Sequence, residues 1–342
     1  MGHFCSEKRP AGLALAAAVA VAAAVALPAM SCTEIRDLGS SAPHGLLPVD
    51  ERSPIVLAND GVYDNWQGEY AVLLANGGGP KLAGIIVSSS PPWPDIDANL
   101  AGWRGLVTAG RASGLRGIPD PTASIGRPLV RPASGQIDAT VPNRSEGARL
   151  IVETSTRLSL PYRPLVVVTG GRLTDVADAY LLDPTVTERI VVVASLGKTT
   201  ASGSAMAAPN GEMDPWADAI VTARFRFVQV SAFYDQLTDV PTSRLSELPA
   251  NAFGEWIAAK QPKIWNLAEA ADQVAAVAVG IPSFATKVER VAAAAPVGAG
   301  ATAGPDLVAD PNGAAWLVTE SASAEATGRF WNALLDSKTY GR

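Results

Sequence analysis

Short, wholly apolar runs alternate with amphipathic stretches along much of this chain. Pro54-Ile55-Val56-Leu57-Ala58 has no polar position, the pattern of a parallel strand buried on both faces. It opens into Asn59-Asp60-Gly61-Val62-Tyr63-Asp64-Asn65, an acidic, turn-rich loop. Trp66, Tyr70, Leu73 and Leu74 then fall at helical spacing, predicting a helix over 66–75 capped by Asp64 or Asn65. Leu82 to Val87 is the next strand, Ser88-Ser89-Ser90-Pro91-Pro92-Trp93-Pro94 a loop at its carboxyl end, and Asn99 to Ala109 a helix. A second unit repeats the order: strand Leu165 to Thr169, turn Gly170-Gly171, helix Leu173 to Leu182, strand Ile190 to Ala194. Strands alternating with helices imply an α/β fold, a mainly parallel sheet flanked by helices. Ligands of such sheets bind beyond the carboxyl ends of the strands, which selects the loops starting at Asp60, Ser88, Thr169 and Ser195.

Downstream, the pattern predicts helices at Ser145 to Leu158, Pro249 to Ala259, Ala268 to Ala278 and Ala322 to Leu335, with strands at Phe225 to Val230 and Ala315 to Val318. Glu146 suits the start of its helix by charge. Gly298 to Gly313, rich in Gly, Ala and Pro, reads as a surface loop, and Ser202-Gly203-Ser204-Ala205 as a flexible one. No internal repeat and no long linker divides residues 53–342, which are expected to form a single domain. Ahead of it, Lys8 and Arg9 precede an apolar run from Ala11 to Met30 that ends in Ala29-Met30-Ser31-Cys32. Residues 1–32 therefore read as an export signal, and 33–52 as a tether. Cys32 resembles the lipid-modified cysteine of a bacterial lipoprotein. Simple secretion and an uncleaved membrane anchor are the alternatives, and all three place the body outside the cytoplasm, as a periplasmic or cell-surface lipoprotein or a secreted protein.

Composition narrows the chemistry. With 48% apolar and 18% charged residues, the 342-residue chain is neither disordered nor a coiled coil. A net charge of -6 argues against a nucleic-acid partner and leaves small molecules, or a homo-oligomer, as companions. Only two histidines occur, His3 and His44, both ahead of the first predicted strand, which excludes a buried Ser-His-Asp triad and a His-rich zinc site. Asp60, Asp64 and Asn65 instead gather oxygen ligands on one loop, suited to a hard cation such as Ca²⁺, although turns and helix caps favour the same residues. Of eight tryptophans, Trp66, Trp93 and Trp216 lie near the predicted site loops, either stacking on a base or sugar or filling core. Trp93, between prolines, is the strongest stacking candidate.

The order of motifs adds a resemblance. The Asn59 to Asn65 loop resembles the D-T-D-x-G-x-D-D loop of the inosine-uridine preferring nucleoside hydrolases. Thr169-Gly170-Gly171-Arg172-Leu173-Thr174-Asp175-Val176-Ala177 is similar to that family's T-G-G-L-T-N-I-A, with one inserted residue. Leu182-Asp183-Pro184, the turn Ser195-Leu196-Gly197, Asn210 with Asp214-Pro215, and Ala271-Asp272-Gln273-Val274-Ala275 follow in family order, spanning roughly residues 54–280. The Ser145-Glu146-Gly147-Ala148 helix start is also similar to a divergent secreted branch of the superfamily. Position by position, the resemblance makes Asp60, Asn65, the Thr169 main-chain carbonyl and Asp272 the Ca²⁺ ligands, Asp60 the general base, and Asp64 and Asn210 ligands of ribose hydroxyls.

The departures bear on mechanism. Ala58 and Asn65 replace loop carboxylates, Ala208 stands where a ribose-binding Glu is expected, and Ala271 where the family has the histidine that serves purine leaving groups. Together these imply a weakened Ca²⁺ site in an exported hydrolase of an N-ribosyl or related glycosidic bond, not a standard purine nucleoside. The alternative is a non-catalytic exported lipoprotein that binds a sugar-like or nucleoside-like ligand in the same cleft.

Overall fold

A computed structural model describes residues 53–61, 81–124, 126–197, 209–231, 242–260, 285–293 and 305–341. The nine strands among the described residues are β1 (Ile55–Asn59), β2 (Leu82–Val87), β3 (Pro121–Ala123), β4 (Leu165–Thr169), β5 (Ile190–Gly197), β6 (Arg226–Ser231), β7 (Ala285–Ala293), β8 (Leu307–Ala309) and β9 (Ala315–Ser321). They form one sheet in the order β3-β2-β1-β4-β5-β6-β9-β7-β8. From β3 to β9 every pairing is parallel, and β7 runs antiparallel to both β9 and β8. The longer helices are α1 (Ile96–Ala112), α2 (Glu146–Leu158), α3 (Thr174–Leu182), α4 (Pro215–Arg224), α5 (Ala252–Lys260) and α6 (Ser323–Leu335). Among the described residues no helix is long and apolar enough to cross a membrane.

The unbroken apolar runs have the cause inferred from sequence: the central strands are covered on both faces. Ile55, Leu57, Ile85, Val166, Val168, Val191 and Val193 pack with Trp103 of α1 on one side. Val56, Ala58, Ile86, Val167, Val192 and Ala194 pack with Ile151 of α2 and Val176 of α3 on the other. Each of these side chains leaves water completely or almost so, contributing roughly 1.5–3 kcal/mol apiece for the larger ones.

Caps set the helix ends. Asp95 accepts from the amides of Asp97 and Ala98, so α1 starts three residues before the expected Asn99. Ser145 accepts from the amide of Ala148 at the start of α2, with Glu146 in the first turn. Asp214 accepts from the amide of Ala217 ahead of α4, which has Pro215 at its first position.

Several expectations need correction. Ser195 to Gly197 is not a turn after β5 but its continuation, paired beyond an irregularity as Gly197 to Ser231. The surface loop expected over 298–313 contains strand β8, held by antiparallel pairing to β7. Strands β3 and β7 and helix α4 were not predicted. The leader, the tether, the helices expected at 66–75 and 268–278 and the loop at 202–205 lie outside the described residues.

The order of strands puts the chain's reversal at β1. From β1 it steps outward to β2 and β3, then returns to β4 on the other flank and continues to β5 and β6. Ala58 pairs with Thr169, and Thr169 with Ala194, so β1 and β4 end near one level while β5 runs on past it to Gly197. A crevice beyond such a reversal is where open α/β sheets bind ligands.

Candidate active site

Asp60 follows the last residue of β1 and is 4% exposed. Its position is braced from several sides. Asn59 Oδ1 accepts from the amides of Asp60 (2.7 Å) and Gly61 (3.0 Å), an Asx turn that bends the chain immediately after the strand. The Gly61 amide also donates to Asp60 Oδ1 at 3.0 Å, and the Trp103 indole donates to the Gly61 carbonyl at 3.2 Å. The Ser90 hydroxyl, beyond β2, donates to the Asp60 carboxylate. Burial raises the pKa of Asp60 above its ordinary value, and the Ser90 and backbone hydrogen bonds and the charge of Arg172 oppose that rise. The outcome is a buried carboxyl poised nearer neutrality than a surface aspartate, useful for taking a proton.

Across from it, β4 ends in Thr169-Gly170-Gly171. The Gly170 amide donates to the Ala58 carbonyl at 3.0 Å, and the Thr169 hydroxyl to the Gly171 carbonyl at 3.0 Å. Gly171 passes so close to Asp60 that a Cβ there would lie 3.2 Å from Oδ1. Asn210, buried, spans the ends of β4 and β5: its Nδ2 donates to the carbonyls of Gly170 (2.9 Å) and Ser195 (2.7 Å). Trp93 is half-buried in a turn closed by reciprocal Ser90–Trp93 main-chain bonds of 3.0 Å. Asn99 of α1 fastens that turn by donating to the carbonyls of Ser88 and Trp93, both at 3.0 Å. Since Ser90 also contacts Asp60, the loop carrying Trp93 adjoins the carboxylate.

Asp60, Thr169, Asn210 and Trp93 thus all stand at the carboxyl edge of the sheet. Asp64, Asn65 and Asp272, with Ala208 and Ala271, lie outside the described residues. Trp216 is not a stacking residue: it is 5% exposed, its indole donates to Thr140 Oγ1 at 3.0 Å, and the Arg131 guanidinium lies 5.0 Å over its ring.

A layer of buried aspartates underlies the edge. Asp175 of α3 accepts from the Ser124 hydroxyl at 2.6 Å, and Ser124 Oγ in turn accepts from the Gly147 amide at 3.2 Å. Asp178 accepts from the amide and hydroxyl of Ser145, at 2.7 and 2.9 Å. Asp214 accepts from the Leu129 amide (2.9 Å) and the Thr174 hydroxyl (2.6 Å). These carboxylates moor the long 124–145 segment to α3 and α4. Burial raises the pKa of Asp175 and Asp214, opposed by their hydrogen bonds and by Arg172.

Sequence reasoning did not single out Ser90 or Arg172. Ser90 lay in the predicted Ser88 to Pro94 loop, so the run of three serines at a strand end was the available signal. Arg172 was visible only as an insertion in a motif.

No family model matches the chain, and no curated protein matches it in sequence. Solved structures do. An inosine-guanosine nucleoside hydrolase superposes with a TM-score of 0.62 at 16% identity, covering 84% of this chain and 99% of that one. The chain has the nucleoside hydrolase fold. A purine-preferring ribonucleoside hydrolase from Gardnerella vaginalis matches with a TM-score of 0.60 at 14% identity, over 84% of this chain and 99% of its own. An inosine-uridine preferring nucleoside hydrolase from Bacillus anthracis does so with a TM-score of 0.55 at 14% identity, over the same shares. The nucleoside hydrolase fold therefore extends over nearly the full length of each neighbour, while the side chains differ at most positions. It accounts for the carboxyl-edge placement of Asp60 and the Thr169 turn.

Proposed function

We propose that this chain hydrolyses an N-ribosyl or related glycosidic bond, with Asp60 as the general base. The observation that carries the reading is the placement of Asp60: a buried carboxyl with a raised pKa, fixed at the reversal point of a nucleoside hydrolase fold.

Asp60 would accept the proton of a water attacking the anomeric carbon, and its ionised form would stabilise the positive charge that develops on the sugar. Trp93 would stack on the leaving group or sugar ring. Asp64 would bind ribose hydroxyls, and Asn210, bridging the carbonyls of Gly170 and Ser195, would set the rim against which the ribose lies.

The donor set fits Ca²⁺ in kind, because the Asp60 carboxylate and the Thr169 main-chain oxygen are hard donors from adjacent strand ends. Among the described residues no group of three His, Cys, Asp or Glu side chains converges, so Asn65 and Asp272 would complete the set. When bound, Ca²⁺ would supply positive charge favouring ionisation of the attacking water and hold the vicinal sugar hydroxyls. With Ala58 and Asn65 in place of carboxylates, the affinity would be weak.

Ala271 stands where the resemblance expects the leaving-group histidine, so substrates would be those whose leaving group departs without that acid, not standard purine nucleosides. We place the activity outside the cytoplasm on the strength of the 1–32 signal pattern, with Cys32 as the lipid attachment point or the Ala11 to Met30 run as an uncleaved anchor, and 53–342 as the catalytic domain.

Release of p-nitrophenol from its riboside, followed while CaCl₂ is titrated, tests the reading. Turnover that rises with Ca²⁺ and vanishes in Asp60→Ala is expected. An unchanged rate in that variant would overturn the assignment of Asp60, and the absence of both metal binding and turnover would overturn the function.

A further inference from the structure

Near Asp60 the departures from the family resemblance remove two carboxylates and insert one arginine, against a single added carboxylate, Asp175, where that resemblance expects Asn. Ala58 and Asn65 stand where the family resemblance expects carboxylates, and Arg172 is the residue inserted into the second signature. In the fold this inserted side chain lies just beyond the β4 turn, half-buried. Its Nη2 donates to the main-chain oxygen of Ser89, beyond β2, and to that of Gly126, beyond β3, at 2.7 Å. Its Nε is buried and makes no hydrogen bond among the described residues.

Both of its hydrogen-bond partners are carbonyl oxygens, and it makes no ion pair among the described residues. Neutral carbonyls hold a guanidinium in place without cancelling its charge. The positive charge is felt at Asp60, Asp175 and Asp214, in each case favouring the ionised carboxylate against its burial. A two-carbonyl clasp spanning three strand-end loops is a costly way to bury a cation unless the charge itself serves the site.

We infer that Arg172 is a positioning residue acting as a resident cation: clasped by Ser89 and Gly126 beside Asp60, it balances part of the negative charge there and weakens the site's hold on a divalent ion. The inference rests on the function proposed above. It adds that charge repulsion, besides the missing carboxylates, sets the metal affinity of this chain, and that the Asp60 carboxylate keeps a counter-charge when no divalent ion is bound.

Calorimetric titration of CaCl₂ into the metal-free full chain tests it, on Arg172→Met, Arg172→Gln and Arg172→Lys beside the parent, with circular dichroism confirming the fold of each. Removing one positive charge from a screened site should tighten Ca²⁺ binding about five- to tenfold in the Met and Gln variants. Arg172→Lys, which restores the charge, should stay within about twofold of the parent. If the Met variant does not fold, the Gln variant, which keeps an amide donor for the carbonyls, decides. Equal or weaker binding in the neutral variants overturns the inference and leaves the function intact, as does a Lys variant that behaves like them. Absence of binding in the parent and in both neutral variants removes Ca²⁺ from the function and the inference with it.

Discussion

A Cβ on Gly171 would lie 3.2 Å from Oδ1 of Asp60, so any side chain on the β4 turn would press on the β1 carboxylate. Gly171→Ala should keep the fold, at a cost of about 1 kcal/mol, because the neighbour has to yield by only a few tenths of an ångström. The displacement falls on the Asp60 carboxylate, so turnover should drop at least about tenfold. Thermal melting and riboside hydrolysis on the same preparation check both halves; an unchanged rate would show that the close approach has no bearing on chemistry.

Asp60→Asn separates chemistry from stability. Burial works against the charged form of Asp60, so the neutral amide relieves a native-state penalty at neutral pH. Activity should disappear while the melting temperature at pH 7.5 stays level or rises. A marked fall in melting temperature would mean that the carboxylate's hydrogen bonds with Ser90 and Gly61 outweigh its desolvation.

Gly147 reverses an ordinary expectation. Near the start of a helix, Gly→Ala is usually neutral or stabilising, by up to about 1 kcal/mol. Here the new methyl would sit 2.6 Å from Asp175 Cγ and 2.8 Å from Ile86 Cγ2, in the buried layer joining α2, α3 and β2. Gly147→Ala should therefore destabilise by at least about 2 kcal/mol, seen as a lower urea midpoint at unchanged slope.

How far these features were legible beforehand depends on where their causes lie. Strands β1, β2 and β4 were readable to within a residue because burial on both faces leaves no polar position in Ile55 to Ala58 or Leu165 to Val168. Strand β7 escaped notice because Lys287, Glu289 and Arg290 interrupt its apolar positions; its antiparallel place beside β9 is a tertiary choice. Helix α4 was hidden for the opposite reason: Trp216 to Thr222 are all buried, Asp218 included, so no polar face marked its period. At the site, Asp60 and the Thr169 turn followed from motif order, since each motif is local. The grip of Arg172 on Ser89 joins residues 83 apart, and nothing in either segment announces the other.

Asp218 offers a pH test of the buried acid layer. Fully enclosed within α4, its carboxyl is pushed up to about 7 by burial and by the nearby Asp214 charge, against one hydrogen bond from Thr222. In the unfolded chain it would titrate near 4. Between about pH 4 and 7 the native state therefore holds a proton that the unfolded state has released, and raising the pH withdraws that stabilisation. The contribution is complete below pH 4 and is lost as pH rises through 7, leaving above it a standing penalty of a few kcal/mol at most. Asp218→Asn, which cannot ionise, should abolish that part of the decline: its stability advantage over the parent should grow from pH 5 to about pH 7 and level off by pH 8 in urea unfolding. A constant difference across that range would mean that Asp218 titrates alike in both states, and that water or a cation reaches α4 at this point.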